Sequence, residues 1–384
     1  MSAASSQSYD ECLARPRRHG RCLRILVTGA AGLIGSELCG HFAERGHSVI
    51  ALVHRSRRLL RNDGRTIEPV PYAGTRLANG VLLALEGDVC KDGLGLGPGA
   101  ASYLASTIDI VVHCAAETGF QLAPGLHRSV NIGGTANVIA FARCAKGLPP
   151  GLVHVSTAYV SGERSGPIME DELDVGQAFA NDYEATKAEA ESLVHTSGLR
   201  AAIARPSIVV GASETGAIGR FGNIYAFLKL IGSGRVAVLP ATPDASLDLV
   251  PIDHVIGGLV DLVERFEGAA GRTFHLVSGD PSPIAALVAL DYPGFHVPQL
   301  ASSATFDPSR LDPIEAVTYQ NFTSLYAAYL RRNPRFAAAN LGALSGRICP
   351  PTGPSFLRRI VDYAVQARYL RPNLPTHRRP RSLT

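Results

Sequence analysis

The sequence predicts a doubly wound α/β fold: a parallel sheet with helices on both faces, a smaller lobe, and a helical C-terminal extension. Three observations carry this. Short, continuously apolar runs alternate with helical stretches from residue 23 to about residue 205. Runs without polar alternation are strands buried on both faces, as in parallel sheets. The first run also enters a glycine-rich turn, and helical patterns dominate residues 311–370. The expected organisation is a basic tail over residues 1–22, the α/β unit over 23–290 with its lobe mainly at 211–285, a helical region at 291–372, and a second basic tail at 373–384.

Taken in order, Arg24–Thr28 reads as a buried strand and Leu33–Arg45 as a helix. His47–Val53, Val81–Glu86 and Ile108–Cys114 are further strands, and Gly93–Gly99 reads as a surface loop. His127–Lys146 is helical, Leu152–Ser156 a strand, Asn181–Ser197 a helix and Arg200–Ala204 a strand. Beyond Arg205 the rhythm loosens. Apolar helices are expected near Ile224–Ile231 and His254–Phe266, then an irregular linker over 286–304. Tyr319, Tyr326, Tyr329, Tyr363 and Tyr369 are spread through the last region.

Composition narrows the class. Hydrophobic residues make up 46% of the 384 and charged residues 18%, enough apolar material for a large core and too little charge for a disordered chain. The net charge of +4 is unevenly placed. Five arginines oppose two acids in residues 1–24, and four arginines meet no acid in residues 371–384, so the body between is mildly acidic. Charge gathered in tails, without interleaved aromatics, does not suggest a nucleic-acid partner. The seven cysteines (Cys12, Cys22, Cys39, Cys90, Cys114, Cys144, Cys349) form no C-x-x-C, which fits a reducing cytoplasm without structural zinc. No apolar h-region precedes residue 25 and no run approaches 18 apolar residues, so neither a signal peptide nor a transmembrane span is expected.

The strongest local signal is Thr28-Gly29-Ala30-Ala31-Gly32-Leu33-Ile34-Gly35. A buried strand runs into three glycines spaced three apart, then into a helix. Gly29 permits the turn, Gly32 admits a pyrophosphate, and Gly35 lets helix and strand pack closely. The helix start offers free N–H groups to the anion. At the end of the next strand, an acid would hold the ribose 2′-hydroxyl of NAD. Instead His54 is followed by Arg55, Arg57 and Arg58, which favours the 2′-phosphate of NADPH, with NADH left open. Asp88, in Gly87-Asp88-Val89, is placed to meet an adenine or to cap a turn.

Tyr183 and Lys187 stand four apart on a predicted helix, which puts both on one face about 6 Å apart along the axis. An ammonium near a phenol favours its ionised form, making a tuned proton donor to a carbonyl. A strand ending in Ser156-Thr157 supplies hydroxyls at the carboxyl edge, where open α/β sheets bind ligands. His113 and His154 read as hydrogen-bonded core histidines, and Cys114 and Cys144 as small packed hydrophobes. Glu170, Asp171 and Glu172 read as a solvated loop, and no cluster suggests a metal.

The turn, Asp88, Ala115-Ala116, Asn131, Ser156-Thr157, Tyr183/Lys187 and Arg205-Pro206 come in an order that resembles an extended short-chain dehydrogenase/reductase of Rossmann type. Within it the chain is most similar to the male-sterility branch of fatty acyl-CoA reductases and thioester reductase domains. That likeness rests on Val112 to Phe120, Val153 to Gly162, Thr215 to Asn223 and Leu247 to Asp253. Leu325-Tyr326-x-x-Tyr329 and Phe336-x-x-x-Asn340 resemble the branch's C-terminal region, although Ala337 stands where an acid is usual. His54, in place of a frequent Arg, and Glu117, in place of a small polar residue, are further departures.

The resemblance implies Thr157, Tyr183 and Lys187 as catalytic residues. It implies a cofactor site of Thr28, Gly29, Ala31, Gly32, Leu33, Ile34 and Gly35, with Arg55, Arg57, Asp88 and Val89 toward the adenosine. Cys114, Ala115, Ala116, Asn131, Ser156, Tyr183, Lys187, Pro206, Ser207 and Ile208 complete it. The implied activity is NADPH-dependent reduction of an acyl thioester, on CoA or a carrier protein, to aldehyde or alcohol. The alternatives are a ketone/alcohol oxidoreductase, a sugar-nucleotide epimerase or dehydratase, and a non-catalytic redox sensor. The last is disfavoured because Tyr and Lys are both present.

Overall fold

The computed structural model describes residues 22–372 except 74–77, 79, 120–121, 291 and 312. Both basic tails lie outside the described residues apart from Cys22. The α/β unit runs β1 Arg24–Thr28, α1 Leu33–Glu44, β2 Ser48–Val53, β3 Val70–Pro71, β4 Leu82–Glu86, α2 Pro98–Thr107, β5 Ile110–His113, α3 Gly134–Arg143, β6 Gly151–Val155, α4 Asp182–His195 and β7 Ala201–Pro206. Then come α5 Asn223–Gly232, α6 Ile252–Glu264, β8 Thr273–Leu276 and α7 Pro354–Gln366.

The described residues form an eight-stranded sheet in the order β8-β7-β6-β5-β1-β2-β4-β3, parallel throughout. The predicted doubly wound Rossmann architecture is the one observed. Alternate residues of β1 explain the layers. Ile25 and Val27 point into a core with Leu38 and Phe42 of α1 and Leu259 of α6. Leu26 points to the opposite face, against Leu104 of α2 and Val138 and Phe141 of α3. Strands β1 and β2 are buried along almost their whole length, which accounts for their unbroken apolar sequence.

Several details differ from the sequence expectation. The stretch Gly93–Gly99 is not a plain surface loop: Leu94 is fully buried at a φ of 62°. α2 begins at Pro98, a residue favoured in a helix's first turn. The helical span after residue 127 opens with a π-helical turn, Arg128–Gly133, before α3. Strand β8 was hidden because its sequence, Thr-Phe-His-Leu, carries a buried polar pair. The linker region contains strand Gln299–Ser302, paired with Val238–Ala241. Within 311–370, Pro334–Phe336 forms a strand beside Gly166–Ile168.

The lobe and the C-terminal segment share one apolar core. Tyr225, Phe227 and Leu239 of the lobe pack in the same cluster as Leu330, Phe336, Phe356 and Ile360. Glu170 is buried rather than solvated, and accepts from the backbone N–H groups of His275 (3.0 Å) and Asn340 (2.9 Å). Local sequence could not show this, because both donors lie more than a hundred residues away.

Packing is tightest where α1 leaves the first turn. A Cβ built on Gly35 would sit 2.3 Å from the Gly29 carbonyl oxygen and 2.9 Å from Ala30 Cα, both backbone atoms. Gly35→Ala is therefore expected to lower unfolding stability by roughly 1–3 kcal/mol, as overpacking does. Urea denaturation measures this, and an unchanged midpoint would contradict the packing argument.

Candidate active site

The crossovers after β1 and β5 cover opposite faces, which opens a crevice at the carboxyl ends of these neighbours, where Thr28 pairs with His113. Gly29 turns the chain there at a φ of +63°, and a Cβ on it would meet Ala115 N at 2.6 Å. Gly32 caps α1 without a side-chain bond, and no acid stands in the first turn. The helix thus presents unneutralised N–H groups beside a surface bare of side chains. This cradle fits a dinucleotide's pyrophosphate.

A cavity of about 530 Å³ extends from the turn. Gly29, Gly32, Leu33, Ile34 and Gly35 form one end. Cys114, Ala116, Ser156, Thr157, Tyr183, Pro206, Ser207 and Ile208 form the middle, so these sequence-predicted residues are brought together. Thr28, Ala31, Arg55, Arg57, Asp88, Val89, Ala115, Asn131 and Lys187 lie outside its lining.

Each of these has a definite place. Thr28 Oγ1 lies 2.7 Å from His113 Nδ1 and accepts from Ala115 N at 3.3 Å. Ala31 packs on the main core. Asn131, in the π-helical turn, accepts from Glu117 N (2.8 Å) and donates to Glu117 O (3.1 Å) and Thr186 Oγ1 (3.0 Å). It thereby pins the loop after β5 to α4. Asp88 Oδ1 accepts from Cys90 N at 2.9 Å, a turn cap, while Oδ2 stands 3.8 Å from His54. Val89 O accepts from Asn137, and the Val89 side chain packs close to Gly134. Arg57 pairs with Glu86, Arg58 with Glu68, and Arg61 with Glu37 and Glu44. Arg55 is exposed and lacks an acidic partner among the described residues.

Thr157 and Tyr183 line the same cavity, with the threonine hydroxyl near enough to favour the ionised phenol. The Thr157 hydroxyl also donates to Pro206 O at 3.3 Å and accepts from Tyr159 N at 3.2 Å. Lys187 is buried, and its Nζ donates to Val155 O at 2.8 Å, with His154 Nε2 at 3.4 Å. Burial pulls the Lys187 ammonium down to about 8, although Glu191 opposes this. Burial pushes the Tyr183 phenol up to about 12, with the Thr157 hydroxyl acting against it. The expected lowering of the phenol by the lysine is not found, because Nζ turns into the sheet edge toward Val155. Ser207 donates to Asp248, which also accepts from Ser278 N at 2.8 Å and Ser278 Oγ at 2.9 Å. His113 and His154 are core histidines whose rings are 5.3 Å apart, and burial holds both below their usual range.

The far end of the cavity was not assigned from sequence. It is walled by Tyr159, Phe221, Ile224, Phe227 and Leu247, and by Tyr326, Tyr329 and Leu330 of the C-terminal segment. Arg220 and Glu117 also border it. The three-residue spacing of Tyr326 and Tyr329 was the available signal, but spacing alone does not say what a face meets.

The family described as male sterility protein, a family of NAD-binding domains, matches residues 27–259. The aldehyde reductase lnaA of Aspergillus flavus is 28% identical over 283 residues, covering 66% of this chain and 25% of that protein. The probable fatty acyl-CoA reductase 4 of Arabidopsis thaliana is 28% identical over 261 residues, covering 53% and 52%. The chain therefore spans about a quarter and a half of these two relatives. The terminal R domain from the myxalamid PKS-NRPS biosynthetic pathway superposes with a TM-score of 0.73 at 24% identity, covering 94% of both chains, a likeness of fold. The glycine cradle and the extent of the family match lead to one conclusion: the chain belongs to the male sterility protein family of NAD-binding domains.

Proposed function

We propose that the chain is an NADPH-dependent reductase of acyl thioesters, carried on CoA or a carrier protein, acting in a reducing cytoplasm. The observation that carries this is the continuity of the cavity. The Thr157–Tyr183 pair at the sheet edge opens directly into an apolar, aromatic chamber. Its mostly apolar wall suits an acyl group better than a sugar, which needs a partner for each of its many hydroxyls. The names of the aldehyde reductase, the fatty acyl-CoA reductase and the terminal R domain support the same reading. The described cysteines are all free.

NADPH, when bound, supplies the hydride. The turn Gly29–Gly35 would hold its pyrophosphate and Arg55 its 2′-phosphate. Arg57 is the weaker candidate, being engaged by Glu86. The chain's own groups do the rest. The Thr157 hydroxyl hydrogen, turned from Pro206 O to the thioester carbonyl oxygen, orients that oxygen and stabilises the negative charge that develops there. Tyr183, kept protonated by its raised pKa, donates its proton to that oxygen. The hemithioacetal then collapses, the C–S bond breaks, and the thiol and aldehyde leave. Lys187 and Asn131 hold α4 and the loop after β5 in register with the sheet edge.

Three outcomes follow. Tyr183→Phe should lower turnover by about 10²- to 10⁴-fold while NADPH binding stays within twofold. Stopped-time assays of free thiol together with fluorescence titration check this, and NADPH oxidation by a ketone panel without thiol release would overturn the thioester reading. Arg55→Ala should weaken NADPH relative to NADH by roughly 10- to 100-fold, the worth of a charged hydrogen bond. An unchanged cofactor ratio counts against Arg55. The Lys187 ammonium is present below about pH 8 and lost above it, while Tyr183 keeps its proton to about 12. kcat/KM should therefore fall as pH rises through about 8, and a profile flat to pH 9.5 would exclude a role for that charge.

A further inference from the structure

Arg332 lies in the C-terminal segment, 148 residues from Glu184, yet both side chains are almost fully buried, 3% and 0% exposed. Arg332 Nη2 donates to Glu184 Oε1 at 2.6 Å, and Nη1 to Glu184 Oε2 at 3.3 Å and to Gly162 O at 2.5 Å. Glu184 follows Tyr183 in the first turn of α4. Its N–H donates to the helix cap Asn181, and its Oε2 accepts from Ala180 N at 3.1 Å. Gly162 closes the turn that begins at Thr157. The guanidinium therefore grips both chain segments that present the Thr157–Tyr183 pair.

The same guanidinium lies against two rings of the cavity wall. Its Cζ is 4.2 Å from the Tyr329 ring centroid and 4.7 Å from that of Tyr159. Those rings are 5.3 Å apart in an edge-on arrangement, and both border the cavity. Tyr329 is further tied to Asn181 at 3.3 Å. A planar, delocalised cation can lie against aromatic rings and donate a fork at once, whereas a lysine ammonium offers no such fork.

We propose that Arg332 is a positioning residue that couples the shape of the acyl chamber to the placement of Tyr183. It sets both the turn that carries the proton donor and the aromatic wall against which the acyl group lies. The inference rests on the reductase reading above.

The test uses the full chain and three variants: Arg332→Lys, which keeps the charge, Arg332→Met, and the double variant Arg332→Met/Glu184→Gln, which leaves no unpaired buried charge. Each is assayed with NADPH on acyl-CoA thioesters of increasing chain length and on a ketone panel. NADPH binding and thermal midpoint are measured alongside. The expected result is a 10-fold or greater loss of kcat in Arg332→Lys and in the double variant, with NADPH binding within twofold of wild type. The ratio of kcat/KM between the longest and shortest acyl chains should also flatten. A purely structural role would lower all substrates in parallel, leave that ratio unchanged, or be restored in the double variant, and any of these overturns the proposal. A wild type that reduces ketones but no thioester overturns the thioester reading alone, and the Arg332 comparison is then read across ketones of graded size. A wild type inert toward every carbonyl overturns both.

Discussion

The structure depends on one close approach. At the carboxyl ends of β1 and β5 the backbone at Gly29 comes so near Ala115 that no Cβ fits between them. Around this contact the sheet divides, with α1 covering one face and α2 and α3 the other. The division opens the crevice, and the missing side chains at Gly29 and Gly35 bring the start of α1 to its rim. Cys114, Ala116, Ser156, Thr157 and Pro206 of the cavity lining are arranged along the same edge.

A second set of constraints is electrostatic. Arg61–Glu37, Arg205–Glu191 and Arg332–Glu184 are pairs with little or no exposure. Buried pairs of this kind are weak sources of net stability, because desolvation offsets the attraction. Their effect here is to select which distant segments meet. Glu37 holds Asn62, and Asn62 Oδ1 accepts from Gly219 N, fixing the loop next to Arg220 of the cavity lining. Arg205 and Glu170 tie the last strands of the sheet to Asn340. Arg332 ties the C-terminal segment to the turn bearing Tyr183.

Much of the sheet was legible because parallel strands buried on both faces leave an unmistakable apolar run. β1, β2, β4, β5, β6 and β7 lie within two residues of their expected bounds. The elements that escaped were short or carried polar residues that only distant partners satisfy, such as Thr273–Leu276 and Pro334–Phe336. The middle of the site was legible too, since hydroxyls at a strand end and a Tyr–Lys pair on a helix have a chemical reason for their spacing. Its electrostatics were not. Spacing placed Lys187 near Tyr183, but only the packing shows the ammonium turned toward Val155 O and both groups shifted by burial.

The sequence by itself determined six of the eight strands of the sheet, the glycine cradle and the identity of the polar groups at the sheet edge. Each follows from local periodicity or from the conformational freedom of a residue type. The tertiary structure decided the far half of the cavity. Tyr326, Tyr329 and Arg332 reach the site from well over a hundred residues beyond Tyr183, through a shared apolar core and a buried ion pair. No pattern within a single element records such a meeting, because its energy belongs to the pair of segments rather than to either one.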